Sequence, residues 1–217
     1  MNANITSDPQ LEHLAEAPIP TKFGTFRVVV FRYKDPSAHP ELSSEHLAMV
    51  MGDVAGRHDV PVRVHSECLT SEVLGSLKCD CKLQLDTAQS RIAEAGRGVI
   101  LYLRQEGRGI GLSNKIKAYA LQATGADTIE ANELLHLPVD ARKYDVAASM
   151  LRHLKVASIQ LMTNNPEKVE ALQRLGICVR GRRPVFVGAN QYSEDYLAVK
   201  RDRMKHQLPK DLSQLDS

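Results

Sequence analysis

Three cysteines, Cys68, Cys79 and Cys81, fall within fourteen residues at the spacing C-x10-C-x-C. Zinc favours thiolates in a tetrahedral shell, so three sulfurs leave one position free. At such an open position water is acidified towards a pKa of ~7 and becomes a nucleophile at neutral pH. Two other readings fit the same spacing. His65 can close the shell as a fourth, structural ligand, or the three thiols are buried or redox-active without metal. Cys178, alone in the apolar context GICV, reads as a small buried hydrophobe.

A second group of residues suits phosphate. RQEGRGIGLSNK (104–115) follows an apolar run, and its glycines let backbone approach a ligand closely. Arg104, Arg108 and Lys115 can meet phosphate charge, while Glu106 can accept hydrogen bonds from a base or bind a metal. The stretch matches neither a Walker loop nor a dinucleotide fingerprint, and a glycine-rich turn with solvated charges explains it equally well. MTNNPEKVE (162–170) sits at a helix start, where first-turn amides attract anions and Thr163 and Lys168 can assist. Ordinary Asn-Pro capping is the plain alternative. LPVDARKY (137–144) puts Asp140 two residues before Arg142, a spacing usual for a local ion pair or cap.

The elements that must hold these residues alternate in type. FRVVVFRY (26–33), HLAMVMG (46–52), PVRVHSE (61–67), GVILYLR (98–104) and ASIQLMT (157–163) read as strands. The 98–104 run is apolar almost throughout, as in a strand buried on both faces. Helical spacing covers 82–95 with Gly96 as its stop, and also 110–123 and 142–154. Asn165 caps a helix with Pro166 in its first turn, running to Leu175 before Gly176. Thr70 can cap a short helix over SEVLGSLK (71–78), and 193–208 reads as a C-terminal helix. Residues 1–20 read as a flexible leader, because Pro18 and Pro20 discourage regular structure. Residues 21–208 read as one domain and 209–217 as a polar tail. The expected fold class is α/β, a layered mixed sheet flanked by helices.

The 217 residues suffice for one domain with a buried core. At 43% apolar and 25% charged the composition is that of a globular protein. No apolar run approaches the ~18 residues of a membrane span, and the polar start lacks a signal-peptide pattern. A cytoplasmic location without membrane contact follows. A net charge of +2 is too small to argue for nucleic acid.

Five stretches together resemble GTP cyclohydrolase II: RVHSECLTSEVLGSLKCDC (63–81), YLRQEGRGIGLSNKIKAYALQ (102–122), DTIEAN (127–132), PVDARKY (138–144) and LMTNNPEK (161–168). The match runs in order from about residue 20 to 208. The resemblance implies that Cys68, Cys79 and Cys81 bind one zinc ion. It implies GTP contacts at Arg63, Val64, His65, Ser66, Glu67, Gln84, Glu106, Gly107, Arg108, Thr128, Thr163 and Lys168. It further implies Asp140 as proton acceptor, Arg142 as nucleophile, and Tyr119 as the residue linked to completing the second hydrolysis. The reaction so implied takes GTP and water to a diamino-pyrimidinone ribosyl phosphate, formate and pyrophosphate, the first step of riboflavin biosynthesis. Magnesium on the substrate phosphates and a homodimer are implied as well.

Two alternatives accompany that reading: an enzyme that stops at the formamidopyrimidine product, and a GTP-binding zinc protein without turnover. Tyr119 weighs against the first, and the full set of Cys68, Cys79, Cys81, Asp140 and Arg142 against the second. His136, Lys155 and Lys205 occupy positions where glycine is usual in the family. If His136 must take a positive φ, strain of ~1 kcal/mol is expected there.

Overall fold

Alternating and continuous apolar runs fold into one sheet. The computed structural model describes residues 8–35, 42–125, 127–188, 192–203 and 206–209. Its strands are β1 (Leu11–Thr21), β2 (Gly24–Tyr33), β3 (Glu45–Met51), β4 (Val60–Ser66), β5 (Gly98–Leu103), β6 (Ile159–Met162) and β7 (Val179–Arg183). The order across the sheet is β1-β2-β3-β5-β4-β6-β7. Pairing is antiparallel from β1 through β3 to β5 and parallel from β5 through β4 and β6 to β7. The helices are α1 (Leu69–Glu72), α2 (Cys81–Ala95), α3 (Leu112–Gln122), α4 (Thr128–Leu134), α5 (Asp145–His153), α6 (Pro166–Arg174) and α7 (Glu194–Asp202). This is the layered mixed α/β architecture that the alternation of runs predicts.

Strand parity divides the core. Phe26, Ile100 and Met162 pack with Ala88 and Ile92 of α2 on one face. Val62, Val64, Leu101 and Leu161 pack with Met150 and Leu151 of α5 and Leu172 of α6 on the other. Each of these buried side chains larger than alanine contributes about 1.5–3 kcal/mol. The helix after β4 thus covers one face and the helix after the adjacent β6 the opposite face. The loops leaving these parallel strands part, and a crevice opens at their carboxyl ends, where open α/β sheets bind ligands.

Four expectations need correction. Leu11–Thr21 is a strand rather than part of a flexible leader. Pro18 and Pro20 lie opposite Arg27 and Thr25 on the sheet's edge. Being two residues apart they share one side of the strand, and an edge can leave the side lacking N–H groups unpaired. The short helix is Leu69–Glu72, begun by Cys68, so Thr70 lies inside it and does not cap it. Cys178 is exposed; it stands between half-buried Ile177 and Val179, and the alternation into β7 turns it outward. The C-terminal helix stops at Asp202.

Residues 1–7, 210–217 and Lys205 lie outside the described residues. α4 and β7 carry weak periodicity and had no counterpart among the expected elements. The first is announced by an Asp127–Glu130 capping box, in which each side chain accepts from the other's backbone N–H.

Three helices end in the same six-residue cap. After α6, Gly176 takes φ 81° and Ile177 N donates to Leu172 O. After α4 and α5 the left-handed residue is His136 (φ 54°) and Lys155 (φ 56°), with Leu137 N donating to Asn132 O and Val156 N to Leu151 O. The cap geometry of a Schellman motif is therefore kept without its glycine.

Candidate active site

Loops from three parallel strands build the cleft: Glu67–Cys68 after β4, Glu106–Arg108 after β5 and Thr163–Asn165 after β6. Arg63 and His65 alternate with apolar Val62 and Val64 along β4, so they face α2. Arg63 donates to Met162 O at 3.0 Å and also to Gln84 of α2. Burial pushes its pKa down, against the pull of Asp80 and Cys81. Gln84 in turn donates to Asp80 Oδ2 at 2.5 Å.

The three cysteines converge although ten residues of chain separate the first two. Their sulfurs all lie within 4.8 Å of one another, and Cys68 Sγ stands 3.6 Å from Cys79 Sγ. Four-coordinate zinc with bonds of ~2.3 Å places its sulfurs about 3.8 Å apart, so the trio fits such an ion. His65 is not part of this cluster: its Nε2 lies 2.7 Å from Glu72 Oε1. Among the described residues the cluster thus offers three sulfur donors and no histidine. Hydrogen bonds from Cys79 and Cys81 favour the Cys68 thiolate over the opposing burial, with Lys115 adding to it. Bonding to that thiolate holds Cys79 and Cys81 up, as successive charges in one buried site must.

Behind the sulfurs lies a buried ionic knot. Lys115 Nζ, from α3, reaches Glu106 Oε1 at 2.7 Å and Cys68 Sγ at 3.1 Å. Glu106 also accepts from Leu69 N at 2.7 Å and Gly107 N at 2.8 Å. Burial opposes the Lys115 charge, but the Cys68 thiolate, Tyr119 and Glu106 outweigh it and raise its pKa. Lys115 and Glu106 therefore organise the site rather than standing free for phosphate. Arg104 likewise pairs with Glu67 at 2.8 Å and turns to a separate pocket beside His46.

The basic wall of the cleft is formed by Arg108, Arg142 and Lys168. Lys168 donates to Val64 O at 2.9 Å, so Val64 serves through its carbonyl while its side chain is in the core. Thr163 Oγ1 accepts from Asn165 N at 3.0 Å and Asn165 Oδ1 from Glu167 N at 2.9 Å, the capping expected from Asn-Pro. Arg142 Nε lies 2.9 Å from Asp140 Oδ1 and 3.1 Å from Oδ2, and Nη2 also bonds Oδ2. Burial pushes the Asp140 carboxyl up, but Arg142 and then Arg108 outweigh it and hold it below the ordinary range. Arg142 lines the cleft, whereas Asp140, bonded to it, does not.

Tyr119, Ser66, Glu67, Gln84, Gly107 and Thr163 also line the cleft. The side chain of Thr128 lies outside the described residues. Glu72, Tyr102 and the double contact of Lys115 have no signal in the sequence, because nothing in a local pattern tells a carboxylate or phenol that bonds inward from one that faces water.

The family model of GTP cyclohydrolase II matches residues 12–184. The chain belongs to the GTP cyclohydrolase II family. A GTP cyclohydrolase-2 of Acinetobacter baylyi is 52% identical over 202 residues, covering 93% of this chain and 98% of that one. The riboflavin biosynthesis protein RibBA of Chlamydia muridarum is 51% identical over 204 residues, 94% of this chain but 47% of its own length. A crystal structure of RibBX, a two-domain 3,4-dihydroxy-2-butanone 4-phosphate synthase from A. baumannii, aligns with TM-score 0.46 at 22% identity, over 82% of this chain and 42% of that one. The cyclohydrolase family is one of metalloenzymes, and the sulfur trio is the place in this member where a metal ion fits. No helix among the described residues is long and apolar enough to cross a membrane.

Proposed function

We propose that this family member hydrolyses GTP with a zinc ion held by Cys68, Cys79 and Cys81. The imidazole ring opens at C8, formate and pyrophosphate leave, and the product is 2,5-diamino-6-(5-phosphoribosylamino)pyrimidin-4(3H)-one, the first intermediate of riboflavin synthesis. The observation that carries this reading is the placement of three sulfurs within 4.8 Å of one another in a cleft that also presents Arg108, Arg142 and Lys168. A zinc ion there supplies Lewis acidity and hydroxide near neutral pH, which ring opening and deformylation both require.

The chain's own residues supply the rest. Arg108, Arg142 and Lys168 offset triphosphate charge, with magnesium arriving on the substrate. The Lys115–Glu106 pair fixes Leu69 and Gly107 beside Cys68, so the sulfurs keep their geometry as substrate enters. An ionised Asp140 can take the proton of a water that attacks the α-phosphate as pyrophosphate leaves, and its fork to Arg142 aims the guanidinium. A protonated guanidinium has no free lone pair, so Arg142 acts by stabilising charge at the α-phosphate rather than by forming a bond. Tyr119, in the cleft wall, belongs to the second hydrolysis. The protein works as a cytoplasmic homodimer.

Incubation of the zinc-loaded protein with GTP and magnesium, followed by mass analysis, tests the reading. Equal release of formate and pyrophosphate is expected. Ring opening without formate would identify the formamidopyrimidine-forming alternative, and GTP binding without pyrophosphate release the non-catalytic one. A guanylyl adduct trapped on quenched protein would overturn the electrostatic role of Arg142.

A further inference from the structure

A buried carboxylate beneath the cleft has no part in the chemistry above. Glu72 closes α1, four residues after Cys68, and its side chain is 9% exposed. Oε1 accepts from Cys68 N at 3.1 Å and lies 2.7 Å from His65 Nε2, while Oε2 accepts from the Tyr102 hydroxyl at 2.6 Å. The Tyr102 ring stacks on the His65 imidazole, with centroids 5.7 Å apart and planes 23° apart.

An ionised carboxylate only accepts, so the proton of a neutral His65 must sit on Nε2 and the lone pair on Nδ1. Burial disfavours the imidazolium here, against the pull of the Glu72 hydrogen bond. Nδ1 is buried and has no hydrogen-bond partner among the described residues. A buried acceptor left so is costly unless something else completes it. His65 is part of the cleft wall, and guanosine carries ring N–H, exocyclic amine and hydroxyl donors.

We propose that Glu72 is a positioning residue for substrate: it locks His65 in the Nε2–H tautomer, so that Nδ1 accepts a hydrogen bond from a donor of the bound nucleotide. The same carboxylate ties this acceptor to the sulfur cluster through the Cys68 amide. The inference rests on the reading of the cleft as the GTP site.

The test uses the full zinc-loaded chain with its histidine nitrogens isotopically labelled, read by two-bond nitrogen–proton NMR near neutral pH. The His65 resonances are assigned by their loss in His65→Asn. The wild type is expected as the neutral Nε2–H tautomer, with the Nδ1 resonance moving when a non-hydrolysed GTP analogue binds. Glu72→Gln keeps an oxygen for His65 and for the Cys68 amide, and Tyr102 can turn to accept from its NH2. It should retain the tautomer and bind the analogue within about threefold of wild type. Glu72→Leu should pass the proton to Nδ1 and weaken analogue binding by about 10- to 100-fold.

A wild-type His65 that is Nδ1–H or imidazolium overturns the proposal. So does a Glu72→Leu protein with unchanged tautomer and affinity. If that variant does not fold, the wild type decides alone: an Nδ1 resonance that ignores the analogue refutes the role. Failure of the wild type to release pyrophosphate would remove the reaction proposed above while leaving this outcome readable.

Discussion

Lys115→Met should cost about 3 kcal/mol of folding stability, and most of that cost should vanish when Glu106 is neutral. The pair is 2.7 Å apart, with side chains 11% and 7% exposed. At an effective dielectric of ~20, two unit charges at that separation attract by roughly 6 kcal/mol. Desolvating both ions takes back part of this, and removing one partner of a buried pair costs ~3–5 kcal/mol. The two backbone donors that Glu106 keeps, Leu69 N and Gly107 N, argue for the lower end. For a chain of this size each kcal/mol moves the melting temperature by ~2–4 °C, so a fall of about 6–12 °C is expected. The assay is a double-mutant cycle of Lys115→Met, Glu106→Gln and the pair, by urea unfolding at one fixed zinc concentration. A coupling energy above about 2 kcal/mol is expected; one below about 0.5 kcal/mol would refute the ionic knot. In that event Lys115 would return to the sequence-based expectation of a phosphate ligand. The substitution would then weaken nucleotide binding in a salt-dependent way and leave stability unmoved.

Asp140→Asn should lower pyrophosphate release by about 100-fold or more while GTP binding persists; a wild-type rate in a single-turnover assay would exclude Asp140 as proton acceptor. His46 is held neutral by burial, and then by Arg104, with its pKa lowered from 6.5 to about 4. The unfolded chain binds a proton that the folded chain refuses between those values, so roughly 3 kcal/mol of stability is present above ~6.5 and lost as pH falls to about 4. His46→Asn keeps an acceptor for the Arg104 amide, a bond now made by Nδ1 at 3.1 Å, and should flatten this limb of the urea-midpoint profile; an unchanged slope would point to another group. His136→Gly and Lys155→Gly should each raise stability by up to ~1 kcal/mol, since both residues are exposed and hold φ near 55° in a cap that favours glycine. Loss of stability in urea titrations would mean that their side chains make contacts worth more than the strain.

How much of this was legible follows from what local pattern encodes. The run Gly98–Leu103 is apolar because β5 is covered on both faces, so its sequence reads directly as a central strand. Asn165 and Pro166 state the start of α6 in two letters. The edge strand β1 does not announce itself, because proline breaks a central ladder but is tolerated where one side has no partner; edge position is a property of the sheet, not of the segment. The cysteine spacing pointed to a metal by donor chemistry alone. Which of the nearby polar residues would join the sulfurs was hidden, because it depends on how β4, α1 and α3 meet. Thus His65, three residues before Cys68, turns away to Glu72, while Lys115, forty-seven residues further on, reaches its sulfur. Cys178 shows the converse failure: apolar neighbours in sequence do not bury a side chain whose strand phase points outward.

The turn after β5 carries backbone strain that shapes the cleft. Gly107, Arg108 and Gly109 take φ of 62°, 59° and 89° in succession, and Gly111 takes 86°. Two glycines carry this conformation cheaply, but Arg108 holds it at a cost of ~1 kcal/mol. The contorted turn lets Glu106 O accept from Gly111 N, starting α3 close enough for Lys115 to reach back to Cys68. It also turns Arg108 O outward to accept from Ala141 N at 3.0 Å, which docks the Asp140–Arg142 segment on the end of β5. A Cβ at Gly109 would stand 3.0 Å from the Ala141 carbonyl, so the approach is as close as a side-chain-free backbone permits. One strained loop therefore sets two distances at once, from Lys115 to the sulfur cluster and from Arg142 to the cleft. A relaxed turn of ordinary residues would separate the sulfur-bearing half of the cleft from its basic half.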